Sequence, residues 1–256
     1  MSRLKPEGAG AVMADRARGE VEGDTPEEAL WRKLNFFPTP PWAARAGGEL
    51  IRRLDPHGGS CWEPACGQGH MALGLFSIFK DGVLCTDIHD FGAGPTCDFL
   101  GQEADDWGHV DWVVTNPPFE TAAQFVQLGL QRARRGVAML CRSAWLDSHG
   151  RYPLFYGPEP LSVHAPFFER VTMTLGGRPT KKGGGTATAY SWFVWVKPET
   201  DLPIVAAVDR LRAEFGDSNI TLPIGVGTKA RLSRADDLQR LKRGLALAPL
   251  FDGGAE

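Results

Sequence analysis

Missing from this 256-residue sequence is any apolar run near the roughly 18 residues that a membrane span requires. Its start, Met1-Ser2-Arg3-Leu4-Lys5-Pro6, has no apolar region of the kind a secretory leader carries. A cytoplasmic protein without a membrane partner is therefore expected. Net positive charge is also lacking: 28 Lys and Arg against 31 Asp and Glu leave a formal charge of −3. A polyanion would have to be met by a local patch, not by the whole surface. The five cysteines, Cys61, Cys66, Cys85, Cys97 and Cys141, show no close pairing, and most lie in or beside apolar runs. That pattern argues for reduced, buried thiols and against a zinc site. No internal repeat is evident. Neither of the common nucleotide signatures is complete, because the glycines at 67 and 69 do not extend to G-x-G-x-x-G and no Gly-Lys-Ser/Thr follows them. What remains is an ordinary globular composition, 43% hydrophobic and 23% charged, long enough for one full core.

Residues 1 to about 30 are charged and rich in Gly and Ala, and read as an arm or as a helix docked through Leu30 and Trp31. Phe36-Phe37-Pro38-Thr39-Pro40-Pro41-Trp42 predicts a stiff extended segment, followed by a helix to Leu54. From Ser60 short apolar strands alternate with helices. Strands are expected at 60–63, 82–86, 111–115 and 136–141, and helices at 71–79 and 121–134. This pattern calls for a mostly parallel sheet with helices on both faces. Residues 142–166 predict a long excursion over the sheet's C-terminal edge. Residues 170–175 and 190–196 read as two strands of a hairpin, joined by a linker with five glycines and the cations Arg178, Lys181 and Lys182. Aromatics on both sides of 190–196 mark it as an inner strand. Helices are expected at 204–215 and 235–247, the second with an N-cap at Ser233 and acidic residues in its first turn. The domain reading is an arm over 1–30, a catalytic domain over 31–197 and an extension over 198–256.

The chemistry concentrates at three strand ends. Glu63-Pro64-Ala65-Cys66-Gly67-Gln68-Gly69 follows a strand and precedes a helix, so its glycines let a ligand approach the backbone while Glu63 offers a carboxylate to a cation or hydroxyl. His70, next along, reads as structural. Asp87, about 20 residues on at the end of the second strand, suits a ribose hydroxyl. Asp98-Phe99 adds a carboxylate and a ring suited to an adenine amino group and its face. The third strand runs into Asn116-Pro117-Pro118-Phe119. An exocyclic base amine is a poor nucleophile because its lone pair is delocalised into the ring. The Asn116 side-chain carbonyl and the Pro117 backbone carbonyl can each accept one of its N–H groups and favour tetrahedral nitrogen. Phe119 can stack on a base taken out of a duplex.

Together these motifs resemble the class I S-adenosylmethionine-dependent methyltransferases that methylate DNA amino groups, especially the small adenine-N6 enzymes of phages and prophages. The resemblance covers residues 36–120 and extends more weakly to Val196. It implies a Rossmann-like α/β fold, a mostly parallel seven-stranded sheet with an antiparallel hairpin strand. It also implies a cofactor site of Phe37, Thr39, Pro40, Glu63, Ala65, Gly67, Gly69, Asp87, Ile88, Asp98, Phe99 and Asn116, with Asn116, Pro117, Pro118 and Phe119 catalytic. Ala65-Cys66 departs from the family's commoner Gly-x-Gly start. The expected partner is duplex DNA with a flipped adenine held between Phe119 and Trp145 or Tyr190. Arg142, Arg151, Lys181 and Lys182 are candidate phosphate or base contacts, and a homodimer through the arm is left open. Methyl displacement needs alignment, not a metal or a covalent intermediate, so no metal is expected. Four alternatives share the catalytic loop: cytosine N4 in DNA, RNA, a glutamine amide in protein (usually with Tyr at the last position), or an inactive nucleic-acid-binding protein.

Overall fold

The computed structural model describes residues 24–178, 188–197 and 220–243. The first helix, α1 (Pro26–Lys33), starts where local chemistry dictates. Thr25 accepts from the Glu28 N–H while the Glu28 carboxylate accepts from the Thr25 N–H, a reciprocal capping box, and Pro26 occupies the first helical position. Its end is equally local. Asn35 takes a left-handed conformation (φ 53°), Phe36 N–H reaches back to the Trp31 carbonyl, and Asn35 N–H reaches the Arg32 carbonyl. Trp31 is buried, so docking through this residue holds, whereas residues 1–23 of the expected arm lie outside the described residues.

An extended strap leads into α2 (Pro41–Leu54), after which the chain alternates. The elements are β1 (Cys61–Glu63), α3 (His70–Leu75), β2 (Val83–Cys85), β3 (Val110–Thr115), α4 (Ala122–Arg132), β4 (Ala133–Arg142), α5 (Tyr152–Tyr156), β5 (Val163–Pro166), β6 (Tyr190–Val196), β7 (Ile220–Thr221), α6 (Thr228–Leu232) and α7 (Asp237–Lys242). Among the described residues, seven strands form one sheet in the order β2-β1-β3-β4-β6-β5-β7. β6 alone runs antiparallel to its neighbours. The result is a Rossmann-like α/β sheet, mostly parallel, with helices on both faces.

Alternation within strands divides the core in two. Trp112, Val114, Ala138, Leu140, Trp192 and Val194 meet α2 and α3, while Val113, Val137, Met139, Phe193 and Trp195 meet α4 and α5. Burying both faces of a parallel sheet is what demands such continuous apolar strands. Helix α2 lies close on its face because Gly47 has no side chain. A Cβ there would come within 2.3 Å of the Trp192 ring, whose Nε1 donates to the Ala43 carbonyl at 3.1 Å.

The N-terminal edge of the sheet is closed by charge. Asp55, fully buried, accepts from Trp112 Nε1 (2.9 Å) and from Arg135 Nη1 through both oxygens (2.8 and 2.9 Å). Asp111 accepts from the Ser60 N–H and from Arg134 Nε.

Several expectations need correction. Residues 170–175 form no strand, although Val171 and Met173 point inward and Thr172 outward. Both edges of β6 are already filled, by β4 and β5, so no ladder is open to this segment. The true neighbour, Val163–Pro166, lay within the expected excursion, where His164 and Pro166 obscure its strand character. Ser233 caps the C-terminus of α6 and not the start of α7, whose N-cap is Asp236. The expected helix at 204–215, Lys181 and Lys182 lie outside the described residues.

Within α7, Asp237 does more than complement the helix dipole. Arg45 of α2, 3% exposed, donates to its carboxylate and to the Leu232 carbonyl, fastening the C-terminal helices to the first face of the core. Removing one partner of such a pair strands a buried charge. Asp237→Ala should therefore cost about 3 kcal/mol in urea denaturation, and Asp237→Ala combined with Arg45→Met should cost less than Asp237→Ala alone.

Candidate active site

At the C-terminal edge of the parallel strands several buried polar groups are unmatched among the described residues. β1 lies between β2 and β3, so successive connections diverge on either side of it and open a crevice at the ends of β1 and β3. A cavity of about 290 Å³ occupies this position. Its wall includes Phe37, Thr39, Glu63, Ala65, Gly67, Asp87, Ile88, Asp98, Phe99, Asn116 and Pro118. Pro40, Gly69, Pro117 and Phe119 stand off the wall. Pro40 and Gly69 serve as the N-caps of α2 and α3.

The glycine loop is shaped by two contacts. Gly67 (φ 51°) donates its N–H to Asp87 Oδ2 at 2.8 Å, and a Cβ at this residue would sit 2.6 Å from the Phe36 ring. Asp87 also accepts from the His89 N–H (3.1 Å), so one carboxylate ties the β1 loop to the turn after β2. Burial raises its pKa above the usual carboxylate value. Glu63 is the more extreme case. It is 1% exposed, its Oε2 has no partner, and burial, joined by the neighbouring Cys66 and Asp87, raises its pKa well above the usual carboxylate range. Beside it His70 lines the cavity with an unpartnered Nδ1, and burial pushes its pKa down to about 4. Buried polar atoms without partners are uncommon in folded proteins, and here they converge on one space. Asp98 accepts from the Leu100 N–H at 3.0 Å, and the buried Phe99 meets Trp62 edge-on and packs at a tilt on Phe125.

Asn116 closes the opposite wall. Its Nδ2 donates to the Phe37 carbonyl (3.1 Å) and the Thr39 hydroxyl (3.1 Å), while its Oδ1 is buried without a partner. The amide is thus held with its acceptor facing away from the strap, at the end of β3.

No family model matches this chain, and no curated protein matches it either. Solved structures do. A candidate RNA methyltransferase from Pyrococcus horikoshii is 15% identical and superposes with a TM-score of 0.51, over 73% of this chain and 97% of that one. The fold is that of the class I methyltransferases. A modification subunit of a candidate type I restriction enzyme from Vibrio vulnificus is 15% identical (TM-score 0.49, 81% of this chain, 52% of that one). The M protein of the type I restriction enzyme EcoKI is 12% identical (TM-score 0.47, 80% and 52%). This chain spans about half the length of those two restriction-modification subunits.

Within the class I methyltransferase fold, the residues expected on the acceptor side separate into two groups. Arg142 lies with its guanidinium 4.0 Å from the Phe119 ring centre, and Phe119 in turn lies 5.4 Å from Phe37. Arg142 and Phe37 thus flank the Phe119 ring at the end of the Asn116–Phe119 loop. Trp145 does not present a face to a base: it is buried, edge-on to Phe155, Phe193 and Trp195. Tyr190 is likewise buried, at 4% exposed. Arg151 is committed to the Trp145 carbonyl (2.8 Å) and ring, and Arg178 to Glu27, Glu28 and Trp31 of α1.

Sequence reasoning missed several residues of the wall and of its support. His70 was visible beside the glycine loop but read as structural. Phe36, stacked on Phe91 at 4.5 Å, sat within the recognised strap without a role. Asn35 carried the αL-tolerant signature of a helix end. Met173, whose sulfur lies 3.6 Å from Asn116 Nδ2, had no local signal, since 57 residues separate the two.

The depressed His70 value has a measurable consequence. A base with a folded pKa below its unfolded one adds stability that is complete above pH 6.5 and is lost as pH falls toward about 4. Relative to His70→Asn, the wild type should lose about 3 kcal/mol of folding stability between pH 7 and pH 4 in urea titrations. Glu63 contributes with the opposite slope, losing stability as pH rises, and is common to both proteins.

Proposed function

We propose that this chain transfers a methyl group from S-adenosylmethionine to the N6 amine of adenine in DNA. The observation that carries the reading is the Asn116 amide: both amide protons are directed into the strap, leaving a buried, unpartnered carbonyl oxygen at the cavity wall. Such an oxygen lacks only a donor, and an exocyclic amine is one.

The remaining unmatched groups fit the proposed cofactor. Burial raises the Glu63 pKa; an ammonium beside it would favour the ionised carboxylate and be the partner that Oε2 lacks. Gly67 and Gly69 allow close backbone approach, with Ala65 alongside. Asp87 keeps acceptor capacity for ribose hydroxyls beside Ile88, and Asp98-Phe99 offers a carboxylate and a ring to an adenine. Phe37, Thr39 and Pro40 form the strap across from them. When bound, S-adenosylmethionine supplies an electrophilic methyl group on a sulfonium. Asn116 Oδ1 and the Pro117 carbonyl each accept one N–H of the acceptor amine, drawing its nitrogen toward tetrahedral geometry. The rigid Pro117-Pro118 pair holds the two acceptors in fixed relation. Phe119 and the guanidinium of Arg142 offer a flat, positively charged surface to a base lifted out of a duplex.

The test is transfer of label from S-adenosylmethionine to unmethylated genomic DNA, with RNA and protein extract in parallel and nucleoside analysis of the product. Label in N6-methyladenine, reduced about 100-fold by Asn116→Ala, is the expected result. Label confined to RNA or protein would overturn the substrate and retain the chemistry. Absence of transfer to every pool would overturn both.

A further inference from the structure

Only one atom of a carboxamide can face a backbone carbonyl favourably, because only the nitrogen carries hydrogens. The Phe37 carbonyl, 3.1 Å from the Asn116 amide, therefore fixes which way that amide points. The second contact reinforces the first through a less obvious route. Thr39 has a single hydroxyl proton, and this proton is directed to Met173 Sδ at 3.7 Å. The thioether has no proton to give back. The Thr39 oxygen is thereby left as an acceptor for Asn116 Nδ2, again at 3.1 Å. All three partners come from different parts of the chain: the strap, the segment after β5, and the end of β3. Thr39 and Met173 are 3% and 2% exposed, so water does not compete for these bonds.

We propose that Thr39 and Met173 are positioning residues for Asn116, a relay that fixes the amide's orientation and makes this site specific for Asn over Asp at position 116. The proposal rests on the methyl-transfer reading, in which Asn116 Oδ1 is the working atom. Its consequence goes beyond that reading. A carboxylate at 116 would set one oxygen against the Phe37 carbonyl, which has no proton to offer, and would draw the Thr39 hydroxyl proton away from Met173. The carbonyl contact is repulsive and is relieved when the carboxyl is protonated. Although adenine enzymes with the same loop often begin it with Asp, this strap is wired for an amide. Thr39, expected from the sequence to contact the cofactor, has its hydroxyl committed instead to the catalytic amide.

Three variants and one spectroscopic measurement test the relay in the full chain. Thr39→Val keeps the shape and removes the acceptor; kcat at saturating S-adenosylmethionine should fall about tenfold. Thr39→Ser should recover most of kcat. Asn116→Asp should lose at least 100-fold in kcat at neutral pH and regain part of it on acidification, a profile that a packing defect does not produce. The Asn116 side-chain amide, assigned by its disappearance in Asn116→Ala, should show two separate proton resonances protected from exchange with water, with protection lost in Thr39→Val. An unchanged kcat in Thr39→Val, wild-type activity of Asn116→Asp at neutral pH, or a freely exchanging wild-type amide would each overturn the relay. The exchange measurement does not depend on turnover. A protected amide in a protein that methylates nothing would overturn the functional reading and leave the relay standing.

Discussion

The active edge of this protein is organised by a tie between two parts of the chain that have no helix or strand in common. Two hydrogen bonds from Asn116 bind the end of β3 to the Phe37–Thr39 strap, and the strap in turn carries Phe36 onto Gly67 and Phe91. The cavity exists because of this tie: on one side stand β1, its glycine loop and the Asp87 carboxylate, and on the other the strap is held at a fixed distance by the amide. Helix α1 extends the same wall. Trp31 is buried, and Gly176 N–H donates to the Phe36 carbonyl, so the segment after β5 supports the strap from behind. The residue that offers an acceptor to a ligand is the same one that assembles the wall around it.

The two ends of the sheet are treated in opposite ways. At the N-terminal edge every carboxylate described is satisfied: Asp55 takes Trp112 and Arg135, and Asp111 takes Ser60 and Arg134. At the C-terminal edge Glu63 Oε2, His70 Nδ1 and Asn116 Oδ1 have no partner among the described residues. β3 joins the two ends, with Asp111 near its start and Asn116 just beyond its finish. Closing the network at one end fixes the strand along its length. The amide at the other end therefore stands at a defined height without spending its own acceptor to stay there. Unpartnered buried groups are costly, and three of them facing one cavity are what a ligand site would present.

Much of this was legible in the sequence, and the limits have clear causes. β1 to β4 and the helices between them follow from short apolar runs broken by Gly and Pro, and the motifs at their ends fall together because parallel strands share a polarity. The glycine loop, Asp87 and Asn116 needed nothing else to be brought to one cavity. β5 was lost because it is four residues long and ends in Pro166, so the alternation of Val163 and Ala165 with His164 is too brief to read. The alternation of 170–175 misled because inward-facing side chains do not require a ladder partner. Trp145 and Tyr190 were sought at the site for their rings, yet a large ring is more often core than platform, and both are buried. Met173 lay beyond reach altogether, since only the folded chain brings its sulfur to Asn116.

The lateral margins of the sheet carry a consequence of their own. Its outermost described strands, β2 and β7, are three and two residues long, against ten for β4 at the centre. An exposed strand is a template on which another chain can add its backbone, and the hazard grows with the number of unpaired amides presented in a row. Short margins offer little to copy. The sheet can leave its cavity end open while giving neighbouring molecules almost no rung on which to begin a shared ladder.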